Sequence, residues 1–186
     1  AMLLFELHGS KNAVQEDAQK LSKICIENGC IEIKVAKNEK EREELWLARR
    51  GAYPALVRIK PSPITGDVGV PISKYPDLIK KTQIVAKKYG IRLANFGHSG
   101  DGNLHFIIIA DQRKSKEWER AQKVNREIIK YALEIGGTCT CEHGVGLEKK
   151  EFMRLEHGNT LDIMLALKKT LDPNNIMNQS KIFEVC

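Results

Sequence analysis

The 186-residue chain lacks several features that would decide its class at once. No apolar run approaches the roughly 18 residues that a membrane-spanning helix requires, so no transmembrane segment is expected. No basic n-region followed by an apolar h-region stands at the start, so no secretory signal is read there. Cysteine is sparse, at five residues: Cys25, Cys30, Cys139, Cys141 and Cys186. An odd count with no export signal favours a reducing compartment, and a cytoplasmic location is expected. Cys139 and Cys141 are too close for an easy disulfide and lack the two-residue spacer of a zinc knuckle. Aromatics are only 6% of the chain, and the net charge of +6 is dispersed. Lysine and arginine alternate with acids in EKEREELW and SKEWERAQK, where a nucleic-acid surface would cluster its cations. No nucleic-acid partner is expected. No Gly-x-Gly-x-x-Gly follows a strand and no Gly-Lys-Ser/Thr loop occurs, which excludes a dinucleotide fold and a phosphate loop of that kind. There is no internal repeat and no low-complexity segment.

What is present suits one globular domain over residues 1–186: 42% hydrophobic and 29% charged residues. LLFEL (3–7) and the alternating IEIKVA (31–36) read as strands. A helix is expected at 11–28, with Val14, Ala18, Leu21 and Cys25 on one face. A second, at 39–57, carries Leu45, Ala48, Ala52 and Leu56, with Pro54 disturbing its last turn or marking a kink. PSPITG (61–66) reads as a loop and DVGVP (67–71) as a short strand stopped by proline. Helices follow at 75–89 and 115–135, with a hairpin between them. GGTCTCEHGVG (136–146) is irregular, and helices at 147–156 and 160–171 close the chain. This order predicts an α+β fold: a ferredoxin-like antiparallel sheet with helices on one face, plus C-terminal helices.

The hairpin contains GHSGDGNLH (97–105). Asp101-Gly102 is a two-residue turn signal, because both central positions of a type I′ turn need positive φ. On that register His98 stands opposite His105, and Gly100 opposite Asn103. Directly opposed residues share a face with Cβ atoms about 4.5–5.5 Å apart, so two imidazoles converge with an amide beside them. The arrangement is half of a metal site; a satisfied core histidine beside an ordinary turn is the other reading. CEHGVG then places Glu142 and His143 in a glycine-rich loop, and such loops carry function more often than packing. Two imidazoles and a carboxylate form a common catalytic metal set with open positions. His98, His105 and Glu142 would supply it. His143 would be a neighbouring base, since a histidine titrates near neutral pH. Alternatively, Glu142 and His143 cap the helix that follows.

NFGHSGDGNLHFIII, GGTCTCEHGVGLEKKEFM and ALKKTLDPNNIMNQSKIF together resemble the carboxy-terminal domain of FAD-linked oxidases of the vanillyl-alcohol oxidase type. ELWLARRGAYPAL and DVGVPISKYPDLI resemble upstream segments of the same family. The nearest group is that of the glycolate oxidase D subunit, D-lactate dehydrogenase and D-2-hydroxyglutarate dehydrogenase. The resemblance implies a substrate cap beside a separate FAD-binding domain. The pair oxidises a 2-hydroxy acid to a 2-oxo acid, with hydride passing to FAD. It also implies a divalent metal, zinc or a similar ion, on His98, His105 and Glu142, with His143 as the catalytic base. Arg49 and Asn103 would bind the substrate; Arg49 matches an arginine that clamps the carboxylate, a task its planar fork suits. Three positions depart from the family pattern: Thr140-Cys141 stands for Ser-Gly, NQSK (178–181) for Asn-Pro-Gly-Lys, and Thr65 for a basic residue.

The expected partners are therefore a small 2-hydroxy acid and an FAD-binding domain or subunit that this chain does not contain. By itself the chain is expected to be inactive and to self-associate through the face left for that half. The alternative is a non-catalytic ferredoxin-like module that binds a small acid or a metal.

Overall fold

Alternating or periodic apolar residues become elements only where they find something to pack on, and the two ends of this chain differ in that respect. The computed structural model describes residues 1–183, so Cys186 lies outside the described residues. Contacts divide the chain into two compact units, Ala1–Pro54 and Ala55–Cys186.

The first unit holds α1 (Lys11–Glu27) and most of α2 (Glu39–Val57). Ser10 caps α1 by accepting the Ala13 N–H at 3.4 Å. Asn38 Oδ1 accepts the Glu41 N–H at 3.0 Å, and the Glu41 carboxylate accepts the Lys37 N–H at 2.9 Å. This reciprocal capping fixes the start of α2. α2 runs on through Pro54 to Val57, so the proline does not end it. The strands expected at 3–7 and 31–36 are not formed among the described residues: neither segment enters a ladder. Leu3, Phe5, Ile31 and Val35 are exposed. Alternation sorts a segment's side chains to two faces, but a strand also needs a partner row of N–H and C=O groups.

The second unit contains β1 (Ile64–Gly69), α3 (Tyr75–Tyr89), β2 (Arg92–His98), β3 (Asn103–Ile109) and α4 (Ser115–Glu134). α5 (Lys150–His157) and α6 (Thr160–Leu171) follow. The sheet is antiparallel in the order β1-β3-β2, with β3 central and all seven of its residues buried. The expected α+β class is the observed one, and the β-α-β-β-α order is that of a split βαβ unit. An isolated bridge, Gly69–Thr138, stands on the outer edge of β1 where a further strand of such a sheet would lie.

α3 and α4 pack on one face of the sheet. α4 buries Ala121, Val124, Ile128, Ile129 and Ala132, the 3–4 spacing of a helix stripe. They meet Leu104, Phe106 and Ile108 of β3 and Val68 of β1 in one core. α3 ends at Gly90, whose left-handed φ of 62° suits glycine at that position. β1 begins at Ile64, inside the segment expected to be a loop. Gly66 belongs to the strand because its bare backbone lies under the Phe106 ring; a Cβ there would sit 1.9 Å from Cζ. Alternation along β3 sends Asn103 and His105 to the face opposite this core.

Candidate metal centre

β2 and β3 carry the histidines, but not on the expected register. His98 pairs with Asn103, and His105 with Phe96. Ser99–Asp101 form a 3₁₀ turn, and of the proposed turn pair only Gly102 has positive φ, at 72°. A type I′ turn needs positive φ at both central residues, so the loop spans four residues instead of two. The cause is tertiary: the Val70 N–H donates to the Gly102 carbonyl at 3.0 Å, pinning the turn to the end of β1. The two-residue extension preserves facing, because side chains alternate with period two. His98 and His105 therefore still converge, now diagonally, with centroids 5.5 Å apart and rings at 88°.

The Gly69–Thr138 bridge brings the glycine-rich loop to the same face, through N–H to O bonds of 3.3 and 2.8 Å. Asp67 receives it. Asp67 pairs with His105 across β1 and β3 and is fully buried. Its Oδ2 accepts the N–H groups of Cys141, Glu142 and His143 at 2.9, 3.1 and 3.0 Å. The Thr140 hydroxyl lies 3.1 Å from the same oxygen. The buried Lys149 ammonium donates to the Asp67 carbonyl at 2.8 Å and sits 3.5 Å from Oδ2. Burial works against ionisation of Asp67, yet the three N–H donors and Lys149 hold its pKa at about 2.

The loop so held presents Glu142 and His143. Glu142 Oε1 is 2.9 Å from His105 Nε2, 3.8 Å from His98 Nε2 and 3.6 Å from His143 Nε2. The ligand atoms of His98, His105 and Glu142 all lie within 4.8 Å of one another. The donor set fits a cation. His105 Nδ1 faces Asp67 Oδ1 at 3.7 Å, so a carboxylate stands behind the ring, the arrangement in which a metal-binding histidine carries its hydrogen on Nδ1. Nε2 lies 2.9 Å from Glu142 Oε1, a separation met both by a hydrogen bond and by two ligands of one cation. Burial, opposed by Glu142 and Asp67, lowers the pKa of His105. That direction favours the neutral ring, the form that binds a metal.

The sequence-predicted residues thus fall in two places. His98, His105, Glu142 and His143 come together in the second unit. Asn103 joins them on the same sheet face, and its buried Oδ1 has no hydrogen-bond partner among the described residues. Arg49 lies on α2, in the first unit. Sequence reasoning missed Asp67 and Lys149. An aspartate inside the apolar strand DVGVP was the available signal, since a buried charge needs partners.

Fold and cluster together define an α+β domain with two histidines and a glutamate gathered on one face of its sheet. The chain belongs to the family of FAD linked oxidases, C-terminal domain, which its residues 1–182 match. It is 40% identical over 184 residues to the glycolate oxidase subunit GlcD of Bacillus subtilis, covering 98% of this chain and 39% of that protein. A probable mitochondrial D-lactate dehydrogenase of Danio rerio is 36% identical over 186 residues, 98% of this chain and 37% of that protein. A D-2-hydroxyglutarate dehydrogenase of Stutzerimonas stutzeri is 30% identical over 189 residues, 98% of this chain and 40% of that protein. The chain therefore spans well under half the length of these relatives. No helix among the described residues is long and apolar enough to cross a membrane.

Proposed function

We propose that this chain is the substrate- and metal-binding part of a flavin-dependent enzyme that oxidises a small 2-hydroxy acid, of the glycolate or D-lactate type, to the 2-oxo acid. The names of its relatives support the reaction class. The observation that carries the reading is the convergence of His98, His105 and Glu142, whose ligand atoms all lie within 4.8 Å of one another. His98, His105 and Glu142 hold it, with zinc the ion of this reading. A divalent ion in that place supplies Lewis acidity, which lowers the pKa of a hydroxyl bound to it. FAD, held mainly by the FAD-binding part, supplies the electron acceptor that no side chain can provide.

The chain's own residues bind, orient and take the proton. His143 stands beside the cluster to receive the hydroxyl proton. Asn103 offers an unpaired buried oxygen to a donor on the substrate. Arg49 supplies a forked cation for the carboxylate. The family match crosses both compact units, in line with one domain over 1–186. Cys25, Cys30, Cys139 and Cys141 are free thiols, and this reading keeps the protein in the cytoplasm.

Zinc titration of the chain, followed by dye reduction in the assembly with its FAD-binding part, tests the proposal. One ion per chain is expected, lost in His105→Ala. The assembly is expected to turn over with glycolate, D-lactate or D-2-hydroxyglutarate and to stop when zinc is stripped. Zinc binding unchanged in His105→Ala, or turnover indifferent to zinc, rejects it.

A further inference from the structure

Asp67 directs its two carboxylate oxygens at two different targets. Oδ2 gathers three successive backbone N–H groups from residues 141–143, which lie 74 to 76 positions further along the chain. Successive N–H groups turned toward one point form an anion-binding concavity. Here an internal carboxylate from the neighbouring strand fills it. Among the described residues Oδ1 makes no hydrogen bond, and neither does His105 Nδ1; both atoms are buried. They face each other at 3.7 Å.

We propose that Asp67 is the positioning residue of the metal centre. Through Oδ2 it holds the backbone that presents Glu142 and His143. Through Oδ1 it keeps the His105 hydrogen on Nδ1 and leaves Nε2 bare toward the cation. The proposal rests on the cation-binding reading of His98, His105 and Glu142.

A purely structural role would need only Oδ2. It would leave two buried polar atoms unpaired and aimed at each other, an arrangement that costs free energy unless the pair closes when the centre is occupied. Histidines that bind metals commonly donate their second ring N–H to a carboxylate or carbonyl, which fixes the tautomer and the ring orientation. Lys149 supplies the compensating charge that lets the carboxylate stay buried. One short side chain thus couples β1, the histidine of β3 and the loop beyond Thr138.

Asp67→Asn separates the two arms. The amide keeps one oxygen for the three N–H groups, but its NH2 then faces His105 Nδ1. A donor in that place favours hydrogen on Nε2, the wrong tautomer for ligation. Asp67→Ala removes both arms. Two measurements on the 186-residue chain read the result: the zinc Kd by chelator competition, and NMR-detected exchange of amides 141–143 in the metal-free protein.

Asp67→Asn is expected to keep those amides slow and to bind zinc about 10–100-fold more weakly, with an altered absorption spectrum of the cobalt(II) form. Asp67→Ala is expected to lose amide protection as well. A wild-type zinc Kd in Asp67→Asn overturns the proposal. So does a wild-type chain whose amides 141–143 exchange as fast as those of Asp67→Ala. A wild-type chain that binds no zinc brings down the cation reading and this inference with it, and that failure shows before any variant is made.

Discussion

The imidazole of His143 stacks on that of His105, with ring centroids 5.0 Å apart and planes 13° from parallel. His143 Nε2 also lies 3.6 Å from Glu142 Oε1, beside the ligand cluster and outside its set of three. A side chain so placed can accept a proton from a group held at the centre without holding the ion itself. His143→Ala should therefore lower turnover of the assembled enzyme by about 10²–10⁴-fold while zinc content stays near one per chain. Full activity in the variant would remove His143 from the chemistry. Loss of zinc would make it a ligand.

Gly102 closes the hairpin turn at φ 72°, and a Cβ there would stand 2.0 Å from the Val70 carbonyl oxygen. Gly100, in the same turn, has open space around the corresponding position. Gly102→Ala should cost at least about 2 kcal/mol in urea unfolding, from left-handed strain plus the backbone clash. Gly100→Ala should stay within about 0.5 kcal/mol. Equal effects at the two positions would mean that the turn is not held as described.

Asp111 receives the Arg113 guanidinium on both oxygens, at 2.9 and 2.8 Å. That hydrogen bonding, opposed by burial and helped by the Arg113 N–H, lowers its pKa from 3.8 to about 2. A carboxyl depressed on folding stabilises above its unfolded pKa, and the stabilisation is lost as pH falls through the folded one. Asp111→Asn should therefore be less stable than the native chain at pH 7. The gap should close between about pH 4 and pH 2, the interval set by the two pKa values. Arg113 is largely exposed and water screens the pair, so the gap should be small. Urea midpoints at pH 7, 4 and 2 decide it; a gap that persists at pH 2 contradicts the assignment.

Cys139 and Cys141 are two residues apart and chemically unlike. Burial, then the Glu156 carboxylate, pushes the Cys139 thiol up to about 12, whereas Cys141 is exposed. The thiolate is the reactive form, so Cys139 should resist iodoacetamide at pH 8 in the folded chain and react only on unfolding. Peptide mapping should find the exposed Cys30 modified first. Native-state labelling of Cys139 at a comparable rate would refute its burial.

The helices were legible in the amino-acid sequence because their signal is local. Leu78 and Val85, or Ala121, Ile128 and Ala132, declare a face within one or two turns, and the structure buries those residues. α1, α2, α3 and α4 accordingly fall within a residue of their expected bounds. The convergence of the two histidines was legible for a related reason. His98 and His105 sit on one short hairpin, and period-two alternation keeps them on a common face although the turn is two residues longer than Asp101-Gly102 alone implies.

What depended on contact between distant segments was decided only by the tertiary structure. The segments 3–7 and 31–36 alternate as strands do, yet the hydrogen bonds that make a strand come from another piece of chain. The hairpin register was set by Val70, the residue that follows β1, pinning Gly102. Nothing near Asp67 in sequence announces that the N–H groups of Cys141, Glu142 and His143 will close on its carboxylate. Side-chain periodicity is written along one segment and can be read there. The partner of a buried charge is chosen by the fold, because only folding removes the water that would otherwise serve it.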